Sequence, residues 1–316
     1  MTEPVARRLP IILTLGIGVA AISCAAPLIR LAAAPALVSA SYRMAISSLL
    51  LAPVFWASFP ARRAEFRAQP TRLRLVLLSG VFLALHFALW FESLEHTSVA
   101  SSVLLVTMNP VFLGLASPLL LKERISRRVV LAIVLGTSGA LIISLSPEAG
   151  QLLASARLKG NLLALAGALM YSAYLLTGRK LRPRVSILSY TYLSYTSAAA
   201  LLLLGTMLTR VRLFGYPWTT LGYLLLLALI PQLIGHSVFN WALRSLAAPV
   251  VALAILGEPI GATLLAWGLL GQAPTLLEIA GGSLIVAAIG LAVTDHRTGA
   301  STPGSNAEPE SPATRR

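Results

Sequence analysis

The residues most able to do chemistry in this chain are polar groups set inside long apolar stretches. The clearest is Glu258 in "LAILGEP" (253–259), a carboxyl group followed at once by Pro259. An ionised carboxylate at the centre of a bilayer costs roughly 2.5–3.5 kcal/mol, so a protonated Glu258 that exchanges its proton is the expected chemistry. Pro259 has no backbone N–H to donate, which predicts a kink at the same point. A glutamate bonded only to the carbonyl groups of the kink is the structural alternative.

A second set of polar residues follows one face of the preceding apolar segment. Gln232, His236 and Asn240 recur every four residues, which places them on one side of a helix. Because lipid would not accept two amides and an imidazole in a row, the spacing predicts a cavity wall. His236 is a second candidate for proton exchange, and Gln232 and Asn240 are candidates for substrate contact. Hydrogen bonding between helices is the alternative.

Aromatic rings and neutral amides supply the other candidates for substrate contact, which are His86, Trp90, Asn109 and Tyr174. His86 and Trp90 lie one helical turn apart and could stack on a planar substrate, although a Trp near a span end is often an interface anchor. Asn109 is followed by Pro110, the second predicted kink. Tyr174 forms an i, i+3 pair with Tyr171, a spacing that is more often used for packing. Such a lining predicts an amphiphilic or zwitterionic substrate.

Arg43 is the one basic residue that falls inside an apolar segment, in "ASYRMA". It lies about 6–7 Å from the centre of its segment, counted at 1.5 Å per residue. It could hold a substrate carboxylate, pair with a glutamate, or carry its charge outward along its aliphatic stem. A structural use of this kind is the favoured interpretation, because such snorkelling is feasible from that depth.

The elements that must position these residues are membrane spans. The chain is 57% hydrophobic and 11% charged, whereas a soluble domain carries about 25% charged residues. A bilayer-spanning helix needs roughly 20 mostly apolar residues. Windows of that length predict ten spans, at about 11–29, 36–58, 73–92, 97–121, 128–146, 160–178, 186–208, 218–241, 246–270 and 274–294.

The net charge of +14 is distributed as in a membrane protein. With the N-terminus inside, nineteen of the 25 Lys and Arg residues fall in inner segments and five in outer ones, as the positive-inside rule requires. The prediction is a bacterial-type inner membrane protein with both termini cytoplasmic: an N-terminal segment over 1–10 and a disordered tail over 295–316. Lys and Arg then contact anionic headgroups, and nucleic acid is not an expected partner.

The chain repeats itself. Residues 93–121 can be laid over residues 242–270 without gaps, so that "MNPV" falls on "GEPI". The duplication of a five-span unit predicts two halves, over 11–146 and 160–294. Because five is odd, the second half should cross the membrane in the opposite sense, and inverted repeats of this kind are typical of secondary transporters. Helical rise places His86 about 4–5 Å outward of its span's centre and His236 roughly 9 Å inward, displacements opposite in sign.

Three stretches carry a resemblance to a known family. "ASYRMA", "SLEHTSVASSVLLVTMNPVF" running into "LLLKERIS", and "LGEPIGATLLAWGLLG" resemble the EamA-type drug/metabolite transporters, over about residues 10–295. The resemblance implies a ten-helix exporter of small metabolites, amino acids among them, with a central cavity. One departure is visible: the fourth span ends in "LKE" with Glu123, as the family pattern does, whereas the ninth ends in "LGQ" with Gln272.

Other functional classes find little support. "GTSG" (136–139) matches a string of intramembrane serine proteases, but Ser138 and His236 differ by about 10 Å in level, and small residues there predict helix packing. No Walker loop or metalloprotease motif is present, and the single Cys24 excludes an intramolecular disulfide. The prediction is therefore not an enzyme, with no metal or cofactor.

The predicted function is secondary export of a small metabolite by alternating access, with possible coupling to protons. The predicted partners are the substrate and the lipid bilayer, and a homodimer is left open. A non-transporting membrane scaffold or sensor is the first alternative, and a passive channel the second.

Overall fold

The computed structural model describes residues 9–67, 69–144, 157–270 and 273–295, and within them the secondary structure is helical, without strands. The predicted N-terminal segment and tail lie almost wholly outside the described residues, as does Gln272. The helices of the first half are α1 Leu9–Ser23, α2 Ala25–Ala32, α3 Ala36–Ala57, α4 Phe59–Arg62, α5 Ala64–Arg67, α6 Pro70–His96, α7 Val99–Val106, α8 Asn109–Leu120 and α9 Arg127–Ser144.

The second half repeats the plan of the first. Its helices are α10 Leu158–Leu181, α11 Ile187–Leu208, α12 Trp218–Leu227, a π-helix Ala228–His236, α13 Ser237–Ala242, α14 Ala248–Ile255, α15 Glu258–Leu270 and α16 Leu276–Val293. Across the described residues, nine helical stretches are long and apolar enough to cross a membrane. Helix α9, which begins with two arginines, occupies the place of the predicted fifth span and brings the architecture to the expected ten.

The helices bury polar residues and expose apolar ones, as a bundle in lipid requires. Leu49, Leu115 and Leu119 are at least 70% exposed, whereas Arg43 and Asn109 are almost fully buried. A soluble bundle would show the reverse arrangement. The exposed leucines therefore mark the surface that faces the acyl chains.

Both predicted kinks are complete interruptions of a helix. The fourth span breaks between α7 and α8, and the ninth breaks between α14 and α15. In each case the new helix starts with a polar residue followed by proline, Asn109–Pro110 in one half and Glu258–Pro259 in the other. Proline suits the first turn of a helix because its missing N–H would be unpaired there anyway. The two breaks occupy the same position in the two halves.

The eighth span contains an irregularity that side-chain periodicity does not reveal. Residues Ala228–His236 form a π-helix that includes Pro231. Such wide turns are rare and concentrate at functional positions. A π-helix differs from an α-helix in its rise and rotation per residue. The depth of His236 along the span therefore differs from a depth counted at 1.5 Å per residue.

The packing of the two halves is symmetric under their exchange. The second, fourth and fifth spans each pack on their own counterpart, the seventh, ninth and tenth. The third packs on the sixth, and correspondingly the eighth packs on the first. Small residues permit the closest approaches: a Cβ on Gly139 of α9 would lie 2.5 Å from the carbonyl oxygen of Gly281 on α16. This contact accounts for the small residues of "GTSG" as helix packing.

Individual hydrogen bonds repeat in the register that lays residue 93 over residue 242. Ser23 Oγ donates to the carbonyl of Val19 at 2.8 Å and lies 3.2 Å from the backbone carbonyl of Glu258. Its counterpart, Ser172 Oγ, donates to the carbonyl of Ala168 at 2.8 Å and lies 3.5 Å from Asn109 Oδ1. Each break is therefore contacted by a serine from the first helix of the other half.

A second repeated bond lies at the ends of the spans. Arg30 Nη2 donates to the carbonyl of Leu94 at 2.6 Å, and its counterpart Arg179 Nη1 donates to the carbonyl of Leu243 at 3.2 Å. Arg179 also forms an ion pair with Glu123, with 2.7 Å between Nε and Oε1. The position that corresponds to Glu123 in the second half is Gln272, so the carboxylate is present at one end only.

Candidate functional site

A narrow cavity lies where the two broken helices meet. Its volume of about 20 Å³ has room for roughly one water molecule. Both halves contribute to its wall, which is formed by Ile22, Ala25, Arg43, His86, Trp90, Val106, Thr107, Asn109, Tyr171, His236, Ile255 and Glu258.

Glu258 reaches the cavity because the ninth span is interrupted at Leu256 and Gly257. It is the first residue of α15, where unpaired backbone N–H groups and the helix dipole create partial positive charge. Its side chain is 6% exposed and forms no hydrogen bond with any residue of the described segments. A glutamate bonded to the carbonyl groups of its own kink is therefore not what the structure shows.

Four rings line one side of the cavity. His86 stacks on Tyr171 at 4.6 Å and on Trp90 at 5.8 Å between ring centroids. Its Nδ1 lies 3.0 Å from the carbonyl oxygen of Gly167, and because a carbonyl oxygen can only accept, Nδ1 is the donor. Tyr171 Oη is 3.3 Å from His236 Nδ1. Trp90 is buried, and it is not an interface anchor.

The two histidines face the same cavity from different helices. Their ring centroids lie 6.5 Å apart, and both rings line the cavity wall. The histidines therefore belong to one site, although the rise per residue counts His86 outward and His236 inward of the span centres.

Arg43 is fully buried, so the snorkelling interpretation is wrong. Its Nε donates to Gln232 Oε1 at 2.7 Å, and its guanidinium carbon lies 4.2 Å from the ring centroid of Phe87. No carboxylate of the described residues lies within ion-pair distance. Its two terminal nitrogens, Nη1 and Nη2, have no hydrogen-bond partner among the described residues.

Three of the predicted contact residues lie behind the cavity wall. Gln232 orients Arg43, as described above. Asn240 Nδ2 donates to Tyr174 Oη at 2.7 Å and to Tyr195 Oη at 3.4 Å. In this conformation Gln232, Asn240 and Tyr174 form a buried layer that supports the site, while Tyr171 takes the place that the sequence suggested for Tyr174.

The layer ends at Arg182, which lies just beyond α10. Its Nε donates to the carbonyl of Asn240 at 2.9 Å, and its Nη1 donates to the carbonyl of Val185. Burial lowers the pKa of this guanidinium. Arg182 thus forms the end of the supporting layer, and both of these hydrogen bonds are to backbone carbonyl groups.

The described residues do not gather the ligands of a typical metal site. No group of three or more His, Cys, Asp or Glu residues comes together within the part of the chain that the structure describes. Transition-metal sites normally require three or four such ligands. The cavity is lined instead by one fixed cation, one carboxyl group and four rings.

Two halves of five apolar helices, with polar groups gathered around a central cavity at paired helix breaks, define a multi-span membrane transporter. The model of the EamA-like transporter family matches residues 9–145 and 158–294. The chain belongs to this family, and it contains the family's domain twice.

Curated relatives agree with this assignment, and a solved structure shares the fold. The chain is 30% identical to the pseudopaline exporter CntI of Pseudomonas aeruginosa over 254 residues, 78% of this chain and 82% of that protein. It is 27% identical to an uncharacterized transporter of Archaeoglobus fulgidus over 220 residues, 68% and 75% of the two chains. A crystal structure shares its fold with a TM-score of 0.73 at 20% identity, over 90% of this chain and 96% of the solved one.

Proposed function

We propose that this transporter exports a small amphiphilic or zwitterionic metabolite by alternating access, with Glu258 as its proton-exchange group. The observation that carries the proposal is the position of Glu258. It begins a half-helix at a break in the ninth span, and its carboxyl group borders a cavity shared with His86, Trp90, Tyr171 and His236. Binding sites at discontinuous helices between two repeats are a general feature of secondary transporters.

Alternating access needs two halves that can tilt against each other about the site. An odd number of spans per half implies that the second half crosses the bilayer in the opposite sense to the first. The symmetric helix pairing supports this inversion, because exchange of the halves leaves the pattern of contacts unchanged. An equivalent tilt in the other direction would then expose the cavity to the other side of the membrane.

The direction of transport and the location are inferred from one relative and from the distribution of positive charge. One relative carries the name of an exporter, and the Lys and Arg residues fall mainly in the loops on one side. We therefore propose export across a bacterial-type inner membrane with both termini in the cytoplasm. His236, next to Tyr171 in the cavity, is a second proton-exchange candidate.

The test is to express the wild type and Glu258→Gln at equal membrane levels in a bacterium and to profile small molecules in the medium. The substitution preserves shape and removes titration. Glu92→Gln is the matched control, because Glu92 lies near the end of α6, pairs with His96 and is not among the residues that line the cavity. A compound that accumulates outside with the wild type and the control, but not with Glu258→Gln, supports the proposal.

The other outcomes discriminate among the alternatives. Equal accumulation with Glu258→Gln keeps the transporter and makes Glu258 structural. Flux of the compound into vesicles without saturation or counterflow would indicate a channel. Absence of any enriched compound and of counterflow would contradict export and favour a non-transporting protein.

A further inference from the structure

The cavity contains more hydrogen-bond donors than the protein uses. Arg43 is completely buried, yet only its Nε has a partner, the Oε1 atom of Gln232. Its Nη1 and Nη2 are unpaired within the described residues, and so is Nε1 of Trp90 in the same cavity wall. Buried polar groups are normally satisfied, and each exception calls for an explanation.

The free edge of the guanidinium is held in a fixed orientation. Gln232 accepts from Nε, and the ring of Phe87 lies against the planar face at 4.2 Å. These contacts leave the two terminal nitrogens as the part of the side chain that is available to a ligand. A guanidinium edge with two parallel N–H groups matches a carboxylate in bidentate geometry.

The surrounding backbone has the same electrostatic preference. Helices α8 and α15 both begin at the cavity, with Asn109 and Glu258 as their first residues. Unpaired N–H groups at a helix N-terminus attract negative charge. Two such termini, together with the unpaired nitrogens of Arg43, favour an anionic group between them.

The charge of the site limits the anion. Among the residues that line the cavity, Arg43 is the one with a fixed positive charge, and Glu258 adds no positive charge in either form. A single guanidinium balances a singly charged carboxylate. A phosphate would bring nearly two charges into the low-dielectric interior and would leave one of them uncompensated.

We infer that Arg43 anchors the carboxylate of the transported molecule through Nη1 and Nη2, with the indole N–H of Trp90 as an additional donor, so that the substrate is a carboxylate-bearing amphiphile. The stacked rings of His86 and Tyr171 border the same cavity, so they lie beside the apolar part of the molecule once a tilt of the two halves widens the cavity beyond its present 20 Å³ or so. This inference rests on the proposed function and specifies its substrate class.

The test is isothermal titration calorimetry on the purified full-length protein with a matched pair of probes, N-acetyltryptophan and N-acetyltryptophanamide. The two share their ring and size and differ in one group, a carboxylate or a neutral amide. We expect the acid to bind at least roughly 30-fold more tightly than the amide, the range for truncation of one partner of a buried charge pair.

The variants assign this preference to Arg43. Arg43→Met should abolish the preference for the acid, and Arg43→Lys, which retains the charge without the two-nitrogen edge, should show an intermediate preference. Arg30→Met is the matched control, because Arg30 donates to Leu94 and Thr97 away from the cavity. If Arg43→Met fails to fold, the ratio of acid to amide affinity in the wild type and in Arg43→Lys still tests the inference.

Equal affinities of the wild type for acid and amide, or no measurable binding of the acid, would overturn the inference. So would a full acid preference in a folded Arg43→Met protein. These results leave export itself intact, because export is measured in cells by accumulation in the medium. Conversely, failure of export in cells would remove the proposed function while the binding result on purified protein would stand.

Discussion

Glu123 and Arg179 join the two halves of the protein at one end of the bundle, which makes their ion pair a test of alternating access. Glu123 follows the fourth span, and Arg179 lies at the end of the sixth. At the other end of the bundle, Arg30 of the first half makes the corresponding arginine-to-carbonyl bond, but the residue that corresponds to Glu123 in the repeated sequence is Gln272. Glu123→Gln therefore makes the two ends chemically equivalent.

The size of the effect follows from the exposure of the pair. The side chains of Arg179 and Glu123 are 15% and 18% exposed. Exposed pairs contribute up to about 1 kcal/mol, and breaking a fully buried pair costs about 3–5 kcal/mol. A pair between these limits contributes about 1–2 kcal/mol, which corresponds to a change of roughly 5- to 30-fold in the ratio of closed to open forms.

Thiol accessibility measures this ratio. In a Cys24→Ser background, a single cysteine replaces Ala25, which lines the cavity. A membrane-impermeant maleimide is then added to vesicles of either orientation. Glu123→Gln should accelerate labelling about 5- to 30-fold from the face on which Glu123 lies, the cytoplasmic face by the positive-inside pattern. Glu92→Gln, which breaks a pair within one helix, should leave both rates unchanged.

Two results would refute this reasoning. Identical labelling rates for Glu123→Gln and Glu92→Gln would show that the pair does not hold the end closed. Faster labelling from the opposite face would show that the protein lies in the membrane with the reverse orientation.

Three further predictions concern packing and positioning. Gly80→Ala places a Cβ about 2.6 Å from the carbonyl oxygen of Ser194, so thermal unfolding should show a loss of about 1–3 kcal/mol in stability. Gly205→Ala is the control, because a Cβ there has no neighbouring atom within 4 Å and should not destabilise the protein. Equal stabilities of the two variants would contradict the prediction. Ser23→Ala removes the hydroxyl that contacts the break at Glu258 and should cost about 0.6 kcal/mol in the same assay; a loss above about 2 kcal/mol would contradict a single-bond role. Gln232→Leu removes the acceptor for Arg43 Nε and should weaken binding of N-acetyltryptophan about tenfold in calorimetry, and unchanged affinity would exclude a positioning role.

Much of the fold follows from the sequence because lipid imposes a simple rule. Each span must be a helix, so runs of about 20 apolar residues mark them, and ten such runs correspond to the helices observed. The overlay of "MNPV" on "GEPI" locates both helix breaks, because proline cannot continue the hydrogen-bond ladder. Polar residues cannot face lipid, and for this reason Glu258, Asn109 and His236 are found inside.

The arrangement within the site could not be predicted in the same way. Which of Tyr171 and Tyr174 borders the cavity depends on the rotation of α10 about its axis, and i, i+3 spacing leaves that rotation undetermined. The level of His236 depends on a π-helix whose one sequence signal is Pro231, a residue that ordinary kinks share. The inward orientation of Arg43 depends on its contact with Gln232, a residue nearly two hundred positions away.

The helices differ in length, and this difference places a demand on the surrounding bilayer. Helices α9 and α16 have 18 residues each and pack on each other, so they span about 27 Å, whereas α6, with 27 residues, spans about 40 Å. A hydrocarbon core is about 30 Å thick, so the charged ends of α6, with Arg72 and Arg74 at one end and Glu92 and Glu95 at the other, reach the headgroup region, whereas α9 and α16 are slightly shorter than the core. Acyl-chain length is therefore expected to act on this transporter as an effector would, favouring whichever tilt of the two halves leaves the smaller hydrophobic mismatch.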